Sequence, residues 1–203
     1  MRATRLMVIA LVSACSGDAA RQDAAVDSAF RAELLARVAV DQAGRDTLVQ
    51  ALQRFGTLPE SLVLRLQAVD SANTAWLALH VRERGFPTTA QIGADGVKAA
   101  LLLIQHADAS PAFQAEMLPF VEKAHEAGDV EGQEFAMLTD RVLRAQGRPQ
   151  RYGTQMSMHD GVVRIDPIED SAGVDARRAA LGLTSLSQYK RVLDSVYGAP
   201  RRP

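Results

Sequence analysis

Apolar residues recur at helical spacing over most of this chain. Over residues 23–55, Val26, Phe30, Leu34 and Val38 stand four apart, and Leu48, Leu52 and Phe55 resume the series. That pattern predicts helix, with Gly44 able to divide it in two. Gly56-Thr57-Leu58-Pro59 breaks the pattern, and Pro59 suits a first helical turn. The following helix is expected over 60–84, with a stripe of Leu62, Leu66, Val69, Asn73, Trp76, Leu77 and His80. Asn73 thus falls inside an apolar stripe, and Asp70 lies one turn before it. Since a buried polar group without a partner costs on the order of 1–3 kcal/mol, both are expected to meet something.

Residues 85–89 (GFPTT) read as a turn leading to a helix that begins near Asp95. Ala99, Ala100, Leu102, Leu103 and Ile104 make that helix apolar nearly all round, which predicts a central position. It ends at Gln105-His106-Ala107-Asp108. Ser110-Pro111 then reads as the cap and first position of another helix, burying Phe113, Met117, Phe120 or Val121, and Ala124. Pro119 should kink it, and Gly128 should stop it. Residues 131–146 form the next helix, with Phe135, Leu138 and Val142 on one side. Asp140 lies opposite but is flanked by Ala136 and Leu143, so it is expected to be buried, with Arg141 at the boundary.

Gly147, Pro149 and Gly153 exclude regular structure over 148–154. Residues 155–158 and 162–165 flank His159-Asp160-Gly161, a hairpin turn signal. Two short helices are expected over 174–181 and 186–197, separated by Gly182. The fold class is mainly α: a compact domain of about six or seven helices with one small β-hairpin.

Composition bears on location more than on chemistry. The net charge of −1, with 20 arginines and 3 lysines and no basic stripe, argues against nucleic acid as partner. Arg2 and Arg5 precede a short apolar run at 6–12 that ends in Val-Ser-Ala-Cys. The run is too short to span a bilayer, which needs about 20 residues, and reads as a secretory signal. Its ending resembles a bacterial lipobox, with Cys15 as the lipidated first residue of the mature chain. Cys15 is the only cysteine, so no intramolecular disulfide can form. The expected organisation is a signal at 1–15, a tether at 16–22, one helical domain at 23–197 and a disordered tail at 198–203. Loss of Arg2 and Arg5 leaves 21 basic against 24 acidic residues. Ser16 after the cysteine, where Asp would favour inner-membrane retention, points to the outer membrane, facing the periplasm.

Phosphate loops, paired zinc ligands, His-Glu-x-x-His and Gly-x-Ser-x-Gly are all absent from the sequence. No metal site and no cofactor are expected. The acidic set Asp160, Asp166, Glu169 and Asp170 matches no calcium loop and reads as solvated surface. His106 is the foremost functional candidate, because it ends a helix whose dipole favours imidazolium and titrates near neutrality. The alternative is a histidine capping local carbonyls. Asp108 or Asp140 would orient it, making these three the catalytic candidates. A buried Asp140 needs a cation or donors, for which His106, Arg141 and Arg151 are the choices. Gln150, Arg151, Tyr152 and Gln155 stand on the irregular segment, where either binding or internal loop bonding would use them.

An ordered series of short motifs carries a resemblance. Asp70 and Asn73, Gly85-Phe86-Pro87, Gln105-His106-Ala107-Asp108, Asp140-Arg141, the run QRYGTQ at 150–155, PIED at 167–170 and VDxRRxxxGL at 174–183 together resemble an uncharacterised bacterial domain family over 58–197. Its members are described only as proteins of unknown function, often secreted or lipid-anchored. The resemblance implies one domain and supplies no reaction. Phe86 stands where Trp is more usual, which keeps an aromatic there.

Two readings follow. In one, Asp70, Asn73, Gln105, His106, Asp140, Arg141, Gln150, Arg151, Tyr152 and Gln155 form a polar pocket that binds or acts on a small molecule. His106 is then the acid/base, and Arg141 or Arg151 the anion holder. In the other, the same residues are a structural network in a non-catalytic interaction module of the envelope, with an envelope protein as partner. In both, the membrane is a partner through the lipid on Cys15.

Overall fold

A computed structural model describes residues 15–159 and 162–197, with the side chains of 27–158 and 162–197. Residues 1–14 of the leader expected at 1–15, the side chain of Cys15, the hairpin turn and the expected tail lie outside the described residues. Helix α1 (Cys15–Phe55) is continuous and includes the segment expected as a tether. It passes through Gly44 without a break. A Cβ built on Gly44 would stand 3.2 Å from Leu66 Cδ1, so the glycine lets the next helix approach rather than ending its own.

Helix α2 (Glu60–Arg84) spans the expected residues, with Pro59 at the cap. Helix α3 (Thr89–Gln105) starts earlier than expected, in a capping box between Thr88 and Gln91, and is interrupted at Gly93 (φ 75°). Its main run is the centre of the core. Val97, Ala100, Leu101, Leu103 and Ile104 are buried there, and α1, α2 and α4 pack on it. Burial of these side chains supplies the main drive for assembly.

Helix α4 (Pro111–Glu126) buries Phe113, Met117 and Val121 and leaves Phe120 partly exposed. It packs against α5 (Gly132–Ala145), on which Phe135, Leu138, Asp140 and Val142 are buried. Strands β1 (Met156–His159) and β2 (Val162–Ile165) pair antiparallel, Met156 opposite Ile165. Helices α6 (Val174–Ala180) and α7 (Leu186–Tyr197) close the order, with α7 against β2. The mainly α fold with a single hairpin is as the hydrophobic pattern predicts. No helix among the described residues is long and apolar enough to cross a membrane.

Candidate functional site

The sequence candidates separate into two groups. The first surrounds Asp140, which is fully buried, as the flanking apolar residues imply. Its Oδ1 accepts from the backbone N–H of Arg151 at 2.7 Å and of Tyr152 at 2.9 Å. Its Oδ2 accepts from the N–H and the hydroxyl of Thr154, both at 2.8 Å. The donors Asp140 needs are therefore backbone amides of the 148–154 loop, rather than the side chains of His106, Arg141 or Arg151.

Gln150 completes the loop from within. Its amide donates to the carbonyls of Gln155 and Asp166 and accepts from the Gln155 N–H at 2.8 Å. Gln155 in turn donates to Thr154 Oγ1 at 3.1 Å. These are the bonds of a loop holding its shape. Of the acidic residues expected as solvated surface, Asp160 lies outside the described residues, Glu169 and Asp170 are exposed, and Asp166 is the exception. Asp166 is buried and paired with Arg144, while Asp170 accepts from the N–H groups of Ala172 and Gly173 and pairs with Arg177.

The second group gathers around His106, where α3 ends. The carboxylate hydrogen-bonded to its ring belongs to Asp41 on α1, with Nδ1 2.7 Å from Asp41 Oδ2. Asp108, expected beside His106, is instead ion-paired with Arg141. Arg45, one turn beyond Asp41, reaches Asp41 Oδ1 at 3.1 Å and Asp70 Oδ1 on α2 at 2.8 Å. One guanidinium thus joins α1 to α2. Arg45 Nε is also 3.0 Å from His106 Nδ1. A neutral ring nitrogen cannot both donate to Asp41 and accept from Arg45. The 2.7 Å approach to a carboxylate assigns the proton to Nδ1, and Arg45 Nε to Asp41. That leaves Nε2 with its lone pair.

Electrostatics divides the two carboxylates. Asp41 is wholly shut off from solvent, and burial works to raise its pKa. Bonds from Arg45 and Gln42 and the adjacent His106 outweigh this and hold it below the ordinary value. Asp70 has the single arginine as partner, and burial first, then the neighbouring Asp41 charge, leave it raised to about 6. Burial likewise pushes His106 below its ordinary value, against the pull of Asp41. The expectation that the helix dipole would favour imidazolium is thus outweighed by desolvation. The imidazole side chain is 20% exposed.

The remaining candidates stand apart from this cluster. Asn73 is buried and accepts from Arg37 at 3.2 Å, and its own Nδ2 has no partner. Gln105 is buried with an unpartnered Oε1. Tyr152 and Arg151 line a cavity of about 320 Å³ with Leu118, Phe135 and Arg148. A second cavity, about 470 Å³, lies between the α2–α3 turn and α4. Neither is lined by His106, so the single pocket expected from the sequence is divided among separate places. Among the described residues no cluster of three or more histidine, cysteine or acidic side chains is arranged to hold a metal ion.

Asp41 and Arg45 were outside the sequence candidates, although Asp41 follows Val38 by three and Leu34 by seven, on the buried stripe of α1. A family of unknown function, DUF6624, matches residues 28–201. The chain belongs to the DUF6624 family. The match begins well before residue 58, where the resemblance by motif starts, so Asp41 and Arg45 belong to the DUF6624 domain with His106 and Asp70. No curated protein and no solved structure matches the chain.

Proposed function

We propose that this chain is a lipid-anchored protein of the bacterial cell envelope, and that Asp41 and His106 form an acid/base pair acting on a small molecule that arrives from solvent. The carrying observation is the 2.7 Å bond between the imidazole Nδ1 and a fully buried carboxylate, on a ring that is still 20% exposed. Asp41 holds the tautomer and would stabilise the imidazolium formed when Nε2 takes a proton. A ring with a lowered pKa is neutral at pH 7 and free to accept that proton. Arg45, paired with both Asp41 and Asp70, holds the Asp41 carboxylate in place beside the ring.

The anchor rests on the Arg2, Arg5 and Val-Ser-Ala-Cys pattern. Two acyl chains or more give stable attachment where one does not. The orientation inferred is outer membrane, facing the periplasm. Cys15→Ser should abolish palmitate incorporation and move the chain out of the membrane fraction.

The acid/base pair is tested with diethyl pyrocarbonate, which acylates neutral imidazole nitrogen. His106 should be modified in the folded protein, with the rate at the high-pH plateau severalfold lower in Asp41→Asn. Failure of the reagent to modify His106, with His106→Gln as baseline, overturns the proposal. A second reading has one specific support: Arg45 ties α1 to α2, and Asp41 ties α1 to the end of α3, as a packing device would. In that reading the domain is a non-catalytic interaction module. His106→Gln should then cost about 1–3 kcal/mol of stability, the loss of a buried charged hydrogen bond.

A further inference from the structure

The cavity of about 470 Å³ falls within the size range of small-molecule sites, roughly 300–1,000 Å³. It exists because two regular elements are interrupted side by side. Gly85, at φ 82°, ends α2 and turns the chain away, and Pro119 interrupts the hydrogen-bond ladder of α4 opposite it. Phe86, Pro119, Phe120, Ala124 and Ala127 give it an apolar wall.

The polar lining is unequal in a way that specifies a ligand. Thr88 is committed to its capping box with Gln91, and Asp129 accepts from the Thr89 N–H at 2.8 Å. Arg84 and Lys123 also line the cavity, and among the described residues neither is paired with a carboxylate. Arg82, two residues before Arg84, is by contrast paired, holding Glu116 at 2.6 Å. An apolar wall flanked by two free cations complements a molecule with an apolar body and an anionic head.

We propose that this cavity binds a free single-chain anionic amphiphile of the fatty-acid class. The alkyl chain lies against Phe86, Phe120 and Ala124, and the carboxylate lies between Arg84 and Lys123. The site is separate from the His106 cluster and does not depend on its reading.

Isothermal titration of the full chain with decanoate, below its micelle concentration, tests this. Saturable one-to-one binding is expected, with 1-decanol at least tenfold weaker. The double variant Arg84→Ala/Lys123→Ala should also bind at least tenfold more weakly. Ala127→Trp, at an exposed position, should fill the cavity and abolish binding while leaving the circular dichroism and melting temperature unchanged. Absence of saturable decanoate binding, equal binding of 1-decanol, or undiminished binding by Ala127→Trp each overturns the proposal. Sedimentation with phosphatidylglycerol vesicles separates the other source of anionic chains. Vesicle binding lost in the double variant, without decanoate binding in the wild type, assigns the cations to a membrane surface and overturns the free-ligand site.

Discussion

Asp140 and Thr154 are joined twice: one carboxylate oxygen accepts both the backbone N–H and the hydroxyl of Thr154, each at 2.8 Å. With the amides of Arg151 and Tyr152 on the other oxygen, a single buried side chain on α5 fixes the path of the loop that follows it.

Removing that carboxylate strands several donors at once. Each unsatisfied buried donor costs about 1–3 kcal/mol, so Asp140→Ala should lose about 3–5 kcal/mol once water has entered the gap. Thr154→Val removes the hydroxyl alone and should lose about 1–2 kcal/mol. Urea unfolding monitored by circular dichroism measures both. Equal losses would mean that the backbone amides find other partners.

The far side of the same loop depends on Arg178, which is buried despite its charge. Its guanidinium donates to the Thr184 carbonyl at 2.6 Å and the Tyr152 carbonyl at 2.7 Å, over the ring of Tyr189. A lysine carries one compact ammonium and cannot present that planar fork. Arg178→Lys should therefore cost about 2 kcal/mol, although charge is kept. Arg178→Met should cost at least as much, and a smaller loss in either variant would show that the two carbonyls are satisfied by water.

How far these residues could be read in advance depended on whether their partners lie in the backbone pattern. Burial of Asp140 and Asn73 follows from their place among apolar positions, and the structure has both inside. The donors to Asp140 were not legible, because amides of an irregular loop leave no residue-type signature. Arg141 and Arg151 are the partners a sequence offers, because cations are visible in it and N–H groups are not. Helix α3 was legible as central from its apolar composition. The His106 cluster was not, since it depends on how α1 crosses the end of α3. Asp41 interrupting the Leu34–Val38 stripe was the available clue, equal in kind to Asn73 on α2. Gly44, three residues after Asp41, reads as a helix break and so masks the continuity of that stripe.

The Asp41–Asp70 pair makes a pH prediction with a definite sign. Asp70 titrates at about 6 in the fold against an ordinary value of 3.8. A raised folded value means that its contribution is fully present below 3.8 and is lost as pH rises through 6. Asp41 and His106, both lowered, act in the opposite sense; asparagine at 70 removes a neighbouring negative charge and lowers Asp41 further, so Asp41 stays ionised across that window in both proteins. The melting temperature of wild type relative to Asp70→Asn should therefore fall between about pH 4 and pH 6 and level off above. A flat difference across that window would remove the proton from Asp70.

Two helix glycines should respond oppositely to alanine. In the interior of α1, Gly44→Ala gains about 0.5–1 kcal/mol of backbone preference. The new methyl meets the Leu66 Cδ1 at 3.2 Å, the free end of a side chain that can rotate aside. The net change should be stabilising by about 0.5 kcal/mol or close to zero. Gly132 opens α5, where the preference for alanine is weaker, and its added Cβ would collide with the Leu181 carbonyl oxygen and lie 2.9 Å from Leu181 Cβ. That neighbour is backbone at the end of α6, with no rotamer to change. Gly132→Ala should cost about 1–3 kcal/mol, as overpacking does. Urea unfolding of the two variants decides the matter. Matching responses would mean that α5 and Leu181 are not in close contact in solution.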